Sequence, residues 1–145
     1  MTNRISIKDI DPGAYQAMMA LENYTKTIQV DAKLKELIKI RASQINRCSY
    51  CIDMHTEHAV KLGETVRRIF ALSAWKESHQ FSERERIVLQ LTEEITAIAN
   101  HGVTDETYNQ VITMFGEKTT SQLIMQVILI NSWNRIAIST RMIYK

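Results

Sequence analysis

The chain has 145 residues, of which 45% are hydrophobic and 23% are charged, and its formal net charge is +2. This composition is that of one ordinary globular domain, and the balanced charge excludes the electrostatic footprint of a nucleic-acid-binding protein. No apolar run approaches the roughly 18 residues of a membrane span, and the N-terminal segment lacks an apolar signal core. We therefore expect a single domain over residues 1–145, located in the cytoplasm, that binds neither nucleic acid nor membrane.

Glycine and proline are scarce, with four residues and one residue respectively, which favours helices over strands and turns. The first predicted helix has Asp11 as its N-cap and Pro12 at its first position. The second follows Asp31 and presents one apolar stripe through "DAKLKELIKIRASQI". The third runs through "YCIDMHTEHAVKLG" and ends near Gly63. One face of this third helix carries Cys51, Met54, His55, His58, Ala59 and Leu62.

Helical patterns continue through the C-terminal half. The fourth predicted helix is "ETVRRIFALSAWKES", and the fifth opens with a capping box formed by Ser82 and Glu85. The sixth begins at Thr104 and stops at Gly116. The seventh, "TSQLIMQVILINSWNRIAIST", is apolar around much of its circumference, which is typical of a helix that is central or covered by a partner subunit. The prediction is an all-α bundle of about seven helices.

Both cysteines of the chain, Cys48 and Cys51, lie in one short stretch with His55 four residues further on. A c-type haem attachment would need histidine directly after the second cysteine, where this chain has Ile52. A purely structural disulfide is disfavoured in a reducing cytosol. A zinc site of Cys48, Cys51 and His55, with His58 as a possible fourth ligand, stays open, although zinc ligands usually come from two separated pieces of chain.

A redox site would use the same residues and would need a less specific arrangement of them than a zinc site does. Two cysteines at the start of a helix can form and reopen a disulfide, and the helix N-terminus lowers the pKa of a thiol in the first turn, where we expect Cys51. His55 lies on the same face and can take the thiol proton. Glu36 on the preceding helix is a candidate to orient His55, although periodicity alone predicts a solvated surface carboxylate. For His58 we expect a satisfied, partly buried histidine.

These residues resemble the core motif of a known family. Glu36, followed after eleven residues by "CSYC" and after three more by His55, is similar to the motif of the AhpD-like alkylhydroperoxidases of the carboxymuconolactone decarboxylase superfamily. The resemblance is strongest over residues 31–78, and "NSWNR" (131–135) looks like the short, single-core subgroup. It implies an all-helical fold in which the cysteine pair opens a helix. It also implies a homo-oligomer: a dimer, a trimer or a hexamer.

The resemblance also implies a chemistry. Cys51 corresponds to the peroxide-attacking cysteine, Cys48 to the resolving one, and Glu36 and His55 to a proton relay. The substrate would be an organic hydroperoxide or hydrogen peroxide, the reductant an external dithiol, and no metal, haem or flavin would be needed. The better-known hydroperoxidases carry a histidine directly before the second cysteine, but this chain has Tyr50, whose ordinary pKa of ~10 prevents it from acting as a base.

Two other functions remain compatible with the sequence. The dithiol could serve as a disulfide reductase or as an electron-transfer adaptor for another peroxidase. Alternatively, the chain could form a non-catalytic helical oligomer whose cysteine pair binds zinc or senses the redox state. Measured rates with peroxide and with disulfides would distinguish the reductase or adaptor from the peroxidase. Bound metal would favour the non-catalytic oligomer.

Overall fold

The computed structural model describes residues 4–145, within which every regular element is helical. In chain order the helices are α1 (Ile7–Ile10), α2 (Pro12–Thr27), α3 (Ala32–Asn46), α4 (Ser49–Lys61), α5 (Val66–Ala71), α6 (Glu83–Thr96), α7 (Ile98–His101) and α8 (Asp105–Thr140), with a 3-10 turn at Leu72–Ala74. The predicted all-α fold is therefore confirmed over this part of the chain. The helices α1 and α7 have four residues each, too few to show a helical period in the sequence.

Side-chain caps begin four of the longer helices, α2, α3, α6 and α8, where the sequence places them. The carboxylates of Asp11 and Asp31 accept hydrogen bonds from the first turns of α2 and α3. Ser82 and Glu85 form the complete capping box of α6, and Thr104 caps α8 through its hydroxyl. Each cap satisfies a backbone N–H that has no partner within its own helix, so these residues fix where the helices start.

Gly116 interrupts the last helix. Its backbone (φ 74°, ψ 167°) is non-helical and lies in a region that glycine enters without strain, as the predicted stop at this residue requires. Helical geometry resumes immediately afterwards, and the hydroxyl of Thr120 donates to the Gly116 carbonyl at 2.8 Å. The sixth and seventh predicted helices therefore form one kinked element, α8.

The C-terminal part of α8 lies at the centre of the fold, where it packs against α2, α3, α4 and α6. Leu123 and Val127 of α8 share a buried apolar cluster with Ile38 of α3 and with Val88 and Leu91 of α6. Contacts within the chain thus explain why this helix is apolar around most of its circumference. Among residues 4–145, no helix combines the length and the apolar character that crossing a membrane requires.

Candidate active site

The turn between α3 and α4 fixes where the two cysteines lie. Arg47 ends α3 in the left-handed conformation (φ 58°, ψ 40°), and the backbone N–H of Cys48 donates to the Ser43 carbonyl at 2.9 Å. This closure of α3 places Cys48 at the N-cap of α4 and Cys51 in its first turn. The prediction that the cysteine pair opens a helix is confirmed.

The two thiols are buried against each other. Each residue is only 1% exposed, both are free cysteines, and their sulfurs lie 2.9 Å apart and share a hydrogen bond. That hydrogen bond lowers the pKa of Cys48 to about 7, against the opposing effect of burial. It raises the pKa of Cys51, and burial raises it further. The expectation that the helix N-terminus lowers the pKa of Cys51 is therefore wrong for the reduced pair, because one shared proton favours the thiolate at Cys48.

Glu36 and His55 form a second buried pair beside the thiols. His55 Nδ1 lies 2.8 Å from Glu36 Oε2, and both residues are 6% exposed. Glu36 Oε1 also accepts a hydrogen bond from Lys39 Nζ at 2.9 Å. The periodicity-based prediction that Glu36 is a solvated surface carboxylate is therefore wrong, and its position is the one that the family resemblance implies.

The electrostatics of this pair fix the protonation of the imidazole. Burial acts to raise the pKa of Glu36, but the hydrogen bond with His55 and the charge of Lys39 together lower it to about 2. Burial lowers the pKa of His55, although Glu36 opposes the shift. At neutral pH Glu36 is thus a carboxylate, which only accepts hydrogen bonds, so the proton of neutral His55 lies on Nδ1. His55 Nε2 is then free to accept a proton.

A cavity of about 490 Å³ opens beside this pair. Cys51, His55 and Glu36 line it, whereas Cys48 does not. The other walls are mainly apolar side chains from α2, α4 and α8: Tyr15, Met19, Met54, Leu62, Trp133 and Ala137. A molecule in the cavity would therefore meet the Cys51 sulfur before the Cys48 sulfur.

His58 lies at the exposed edge of the cavity, with its ring centroid 5.8 Å from that of His55. The expectation of a partly buried histidine is wrong, because the structure leaves His58 exposed where it buries His55. Glu36, His55 and His58 each offer a ligand atom within 4.8 Å of the others, and neither cysteine belongs to this group. The grouping thus differs from the zinc alternative considered above, and the Lys39 ammonium already neutralises its only carboxylate.

Asn134 is a site residue that the sequence pattern left without a role. It is fully buried on α8, its Nδ2 donates to Ser43 Oγ at 2.9 Å, and its Oδ1 accepts from Asn46 Nδ2 at 2.8 Å. The side chain of Asn134 also lowers the pKa of both thiols through hydrogen bonding. The sequence could have indicated Asn134, because it places an amide inside an otherwise apolar helix. A polar side chain that is buried there needs hydrogen-bond partners.

The neighbours of Asn134 have different surroundings. The Trp133 indole N–H donates to Glu22 Oε2 at 2.9 Å, which ties α8 to α2. Arg135 is exposed and donates to the backbone carbonyl of Asn131 one turn earlier. Trp133 also lines the cavity, whereas Arg135 bonds to the preceding turn of its own helix.

Tyr50 lines the cavity directly before Cys51. Its ring packs edge-on against Tyr144, with the ring centroids 5.7 Å apart. Burial and the charges of the thiols raise the pKa of Tyr50 above its usual value. Its phenol therefore remains protonated near neutral pH and can donate a hydrogen bond into the cavity.

Comparisons with known proteins give relatives of the whole chain. A curated relative, the uncharacterized protein YdfG of Bacillus subtilis (strain 168), is 44% identical over 139 residues, which cover 96% of this chain and 95% of that protein. A crystal structure from Agrobacterium tumefaciens superposes with a TM-score of 0.95 at 33% identity and covers 99% of both chains. That protein is of unknown function, and a role as the antioxidant defence protein AhpD has been suggested for it.

A more distant structure shows the same fold. The AhpD core of an uncharacterized peroxidase-related protein from Ralstonia eutropha JMP134 has a TM-score of 0.80 at 14% identity, covering 93% of this chain and 72% of that chain. The sequence profile of the carboxymuconolactone decarboxylase family matches residues 12–94, which include Glu36, both cysteines and His55. The chain therefore belongs to the carboxymuconolactone decarboxylase family, with an AhpD-like fold.

Proposed function

We propose that the protein is a thiol-dependent peroxidase that reduces organic hydroperoxides, or hydrogen peroxide, through a dithiol/disulfide cycle of Cys48 and Cys51. The observation that carries this proposal is the buried Glu36–His55 pair, which presents a neutral imidazole to the same cavity as the Cys51 sulfur. A thiol, a base and a group that orients the base are the components of nucleophilic thiol chemistry. The suggested antioxidant role of the Agrobacterium relative supports the same class of reaction.

The first step is attack by Cys51 on the hydroperoxide. Cys51 lines the cavity and Cys48 lies behind it, so Cys51 receives the substrate although Cys48 has the lower pKa. The Cys51 proton moves to Cys48, 2.9 Å away, or to His55 Nε2, where Glu36 stabilises the resulting imidazolium. The Cys51 thiolate then bonds to the terminal peroxide oxygen, and the O–O bond breaks. The products are a Cys51 sulfenic acid and an alkoxide, which takes a proton and leaves as the alcohol.

The second step closes the disulfide. The Cys48 sulfur attacks the Cys51 sulfenic sulfur and releases water, and an external dithiol then reduces the disulfide by exchange. Overall, one hydroperoxide and two thiols give one alcohol, one water and one disulfide. This cycle needs a compartment that supplies dithiols, and we place the protein in the cytoplasm for that reason.

We also propose that the protein functions as a homo-oligomer. Val60, Val66 and Phe70 are large apolar side chains that α4 and α5 leave exposed along one shallow groove, and Phe70 is 78% exposed. Exposed apolar patches of this kind are typical of subunit interfaces. Light scattering at two concentrations is expected to give the mass of a dimer, a trimer or a hexamer, and a monomer at both concentrations would contradict this expectation.

The direct test is a single turnover without added reductant. The reduced protein is mixed with one equivalent of cumene hydroperoxide, and its intact mass and the released alcohol are measured. We expect the protein to lose two hydrogens while one equivalent of cumyl alcohol forms. An unchanged mass, with rapid reduction of a disulfide substrate instead, would replace the peroxidase with a disulfide reductase. Retention of zinc with no oxidation would replace it with a metal-binding role.

A further inference from the structure

Gln126 is a buried polar residue without a partner. It is 1% exposed, and neither its Oε1 nor its Nε2 has a hydrogen-bond partner among residues 4–145. Buried side-chain amides are almost always satisfied, so such an exception needs a physical reason. Gln126 lines the same cavity as Cys51, so its amide can bond to a molecule in the cavity once the side chain turns towards it.

The position of Gln126 shows which part of a ligand it meets. Gln126, Trp133 and Ala137 lie along one stripe of α8 that faces the cavity. Asn134, whose side chain reaches the sulfurs, is eight residues further along α8, a rise of about 12 Å. Gln126 therefore precedes the part of α8 that packs against the cysteine pair, and it meets the part of a ligand that lies beside this earlier turn of α8.

The charges around the cavity favour an anionic ligand. Lys26, Lys35 and Lys39 line the cavity together with two carboxylates, Glu22 and Glu36. Glu36 is bonded to His55 and Lys39, and Glu22 accepts from an indole N–H. Among residues 4–145, the ammonium group of Lys35 has no hydrogen-bond or ion-pair partner, so it is available to an incoming anion.

The rest of the cavity suits a long apolar chain. Met19 and Met54 contribute flexible side chains to walls that also include Tyr15, Leu62 and Trp133. Methionine adapts its shape to irregular apolar ligands. The volume of about 490 Å³ lies within the range of small-molecule sites and far exceeds the size of hydrogen peroxide.

We propose that the substrate is the hydroperoxide of a long-chain fatty acid, with its carboxylate held at Gln126 and its peroxide presented to Cys51. The carboxylate accepts a hydrogen bond from Gln126 Nε2 and is neutralised by a lysine ammonium, which also supplies the donor that Oε1 lacks. The alkyl chain occupies the apolar walls between these two ends. This inference rests on the proposed function, because it names the substrate class of that same site.

The binding test uses linoleate, which has no peroxide group, and methyl linoleate, which lacks the negative charge. Both are added to the reduced protein below the concentration at which linoleate forms micelles, and Trp133 fluorescence reports occupation of the cavity. We expect linoleate to bind roughly tenfold more tightly than the ester, because the ester loses the ionic contact. Equal binding of acid and ester, or no binding of either, would overturn the inference.

Gln126→Leu tests the residue itself, with Gln122→Leu as its matched control. Gln122 is buried on the same helix one turn earlier but does not line the cavity. Leucine has nearly the volume of glutamine and leaves no unsatisfied amide, so the variant is expected to fold. The preference for linoleate over its ester should fall roughly threefold in Gln126→Leu, because the lysine contact remains, and should stay unchanged in Gln122→Leu. Equal preferences in the two variants would remove Gln126 from the site.

Turnover separates this inference from the proposed function. Linoleic acid hydroperoxide, its methyl ester and cumene hydroperoxide are compared by kcat/KM with a dithiol reductant. A roughly tenfold preference for the acid over the ester supports the inference. Reduction of cumene hydroperoxide without that preference would refute the inference and leave the peroxidase intact. Binding of linoleate without reduction of any peroxide would refute the peroxidase and leave the carboxylate site intact.

Discussion

Glu36 Oε2 and His55 Nδ1, which belong to different helices, lie 2.8 Å apart in a buried ion-pair geometry. The carboxylate fixes the imidazole tautomer, so the free Nε2 of His55 serves the cavity that Cys51 lines. Lys39 on the other carboxylate oxygen keeps Glu36 ionised despite its burial. The buried cluster is therefore a unit of three charged or titratable groups, two of which come from α3.

Glu36→Gln is expected to lose stability in a pH-dependent way. The pKa of Glu36 falls from 4.5 to about 2 on folding, and a group with a lowered folded-state pKa stabilises the protein above its unfolded pKa. This shift corresponds to about 3 kcal/mol at neutral pH, which is lost as the pH falls from 4.5 towards 2. Urea unfolding at pH 7 and at pH 3 measures the difference between wild type and variant, which should shrink at the lower pH.

The control for Glu36 is Glu117→Gln, which changes an exposed carboxylate on α8. Its unfolding free energy should match the wild type within about 0.5 kcal/mol at both pH values. A difference between wild type and Glu36→Gln that stays constant from pH 7 to pH 3 would show that ionisation of Glu36 does not stabilise the fold.

Removing either thiol is expected to shift the pKa of the other, and the two shifts should have opposite directions. The hydrogen bond between them lowers the pKa of Cys48 to about 7 and raises that of Cys51. Cys51→Ala should therefore raise the pKa of Cys48, whereas Cys48→Ala should lower the pKa of Cys51. The ultraviolet absorbance of the thiolate, followed against pH, measures both. Wild-type protein should show one thiolate forming near pH 7, and a Cys48 pKa that stays near 7 in Cys51→Ala would contradict the shared proton.

The turnover chemistry distinguishes the two cysteines further. Cys51→Ser is expected to abolish peroxide reduction, because no thiol then lines the cavity. Cys48→Ser should consume one equivalent of hydroperoxide and stop at the Cys51 sulfenic acid, which dimedone traps with a defined mass increase. Steady-state reduction by Cys51→Ser, or by the double serine variant, would show that another group reduces the peroxide.

Much of the fold and part of the site could be predicted from the sequence, for identifiable reasons. Asp11, Asp31 and the Ser82 capping box act through neighbours a few residues away, so local patterns were sufficient to predict helix starts. Glu36 was harder, because α3 is buried on nearly all sides and an amphipathic stripe does not describe it. Its burial follows from His55 on another helix, which only the family motif relates to it.

The parts of the site that the sequence did not predict depend on contacts between distant segments. Asn134 meets Ser43 and Asn46 across the interface of α8 with α3, and no local pattern pairs these positions. Gln126 and the neighbouring Gln122 are both buried on α8, but only Gln126 lies on the side that faces the cavity. Such distinctions require the packing of the helices and not only their boundaries.

Asn134→Ala is expected to affect both stability and the thiols. It removes two buried hydrogen bonds, one to Ser43 and one from Asn46, which costs about 1–3 kcal/mol of unfolding free energy. Ser43 keeps its bond to the Lys39 carbonyl, and Asn46 keeps its bond to Asn131. The substitution should also raise the pKa of the first thiol to ionise, because the Asn134 side chain lowers the pKa of both sulfurs. The thiolate titration separates this role from simple packing. Arg135→Ala, next to it but exposed, should leave the thiolate titration unchanged.

Gln126→Leu is expected to stabilise the ligand-free protein. The wild-type amide is buried with neither polar atom bonded, and an unsatisfied buried polar group costs about 1–3 kcal/mol. Leucine of similar volume removes that penalty, so the unfolding free energy of Gln126→Leu should rise while its preference for linoleate falls. Gln122→Leu in the same urea titration shows what the substitution does away from the cavity. A loss of stability in Gln126→Leu would mean that the amide is already satisfied in the free protein. Opposite changes in stability and ligand preference identify a residue retained for binding, because a purely structural glutamine would lose stability on substitution.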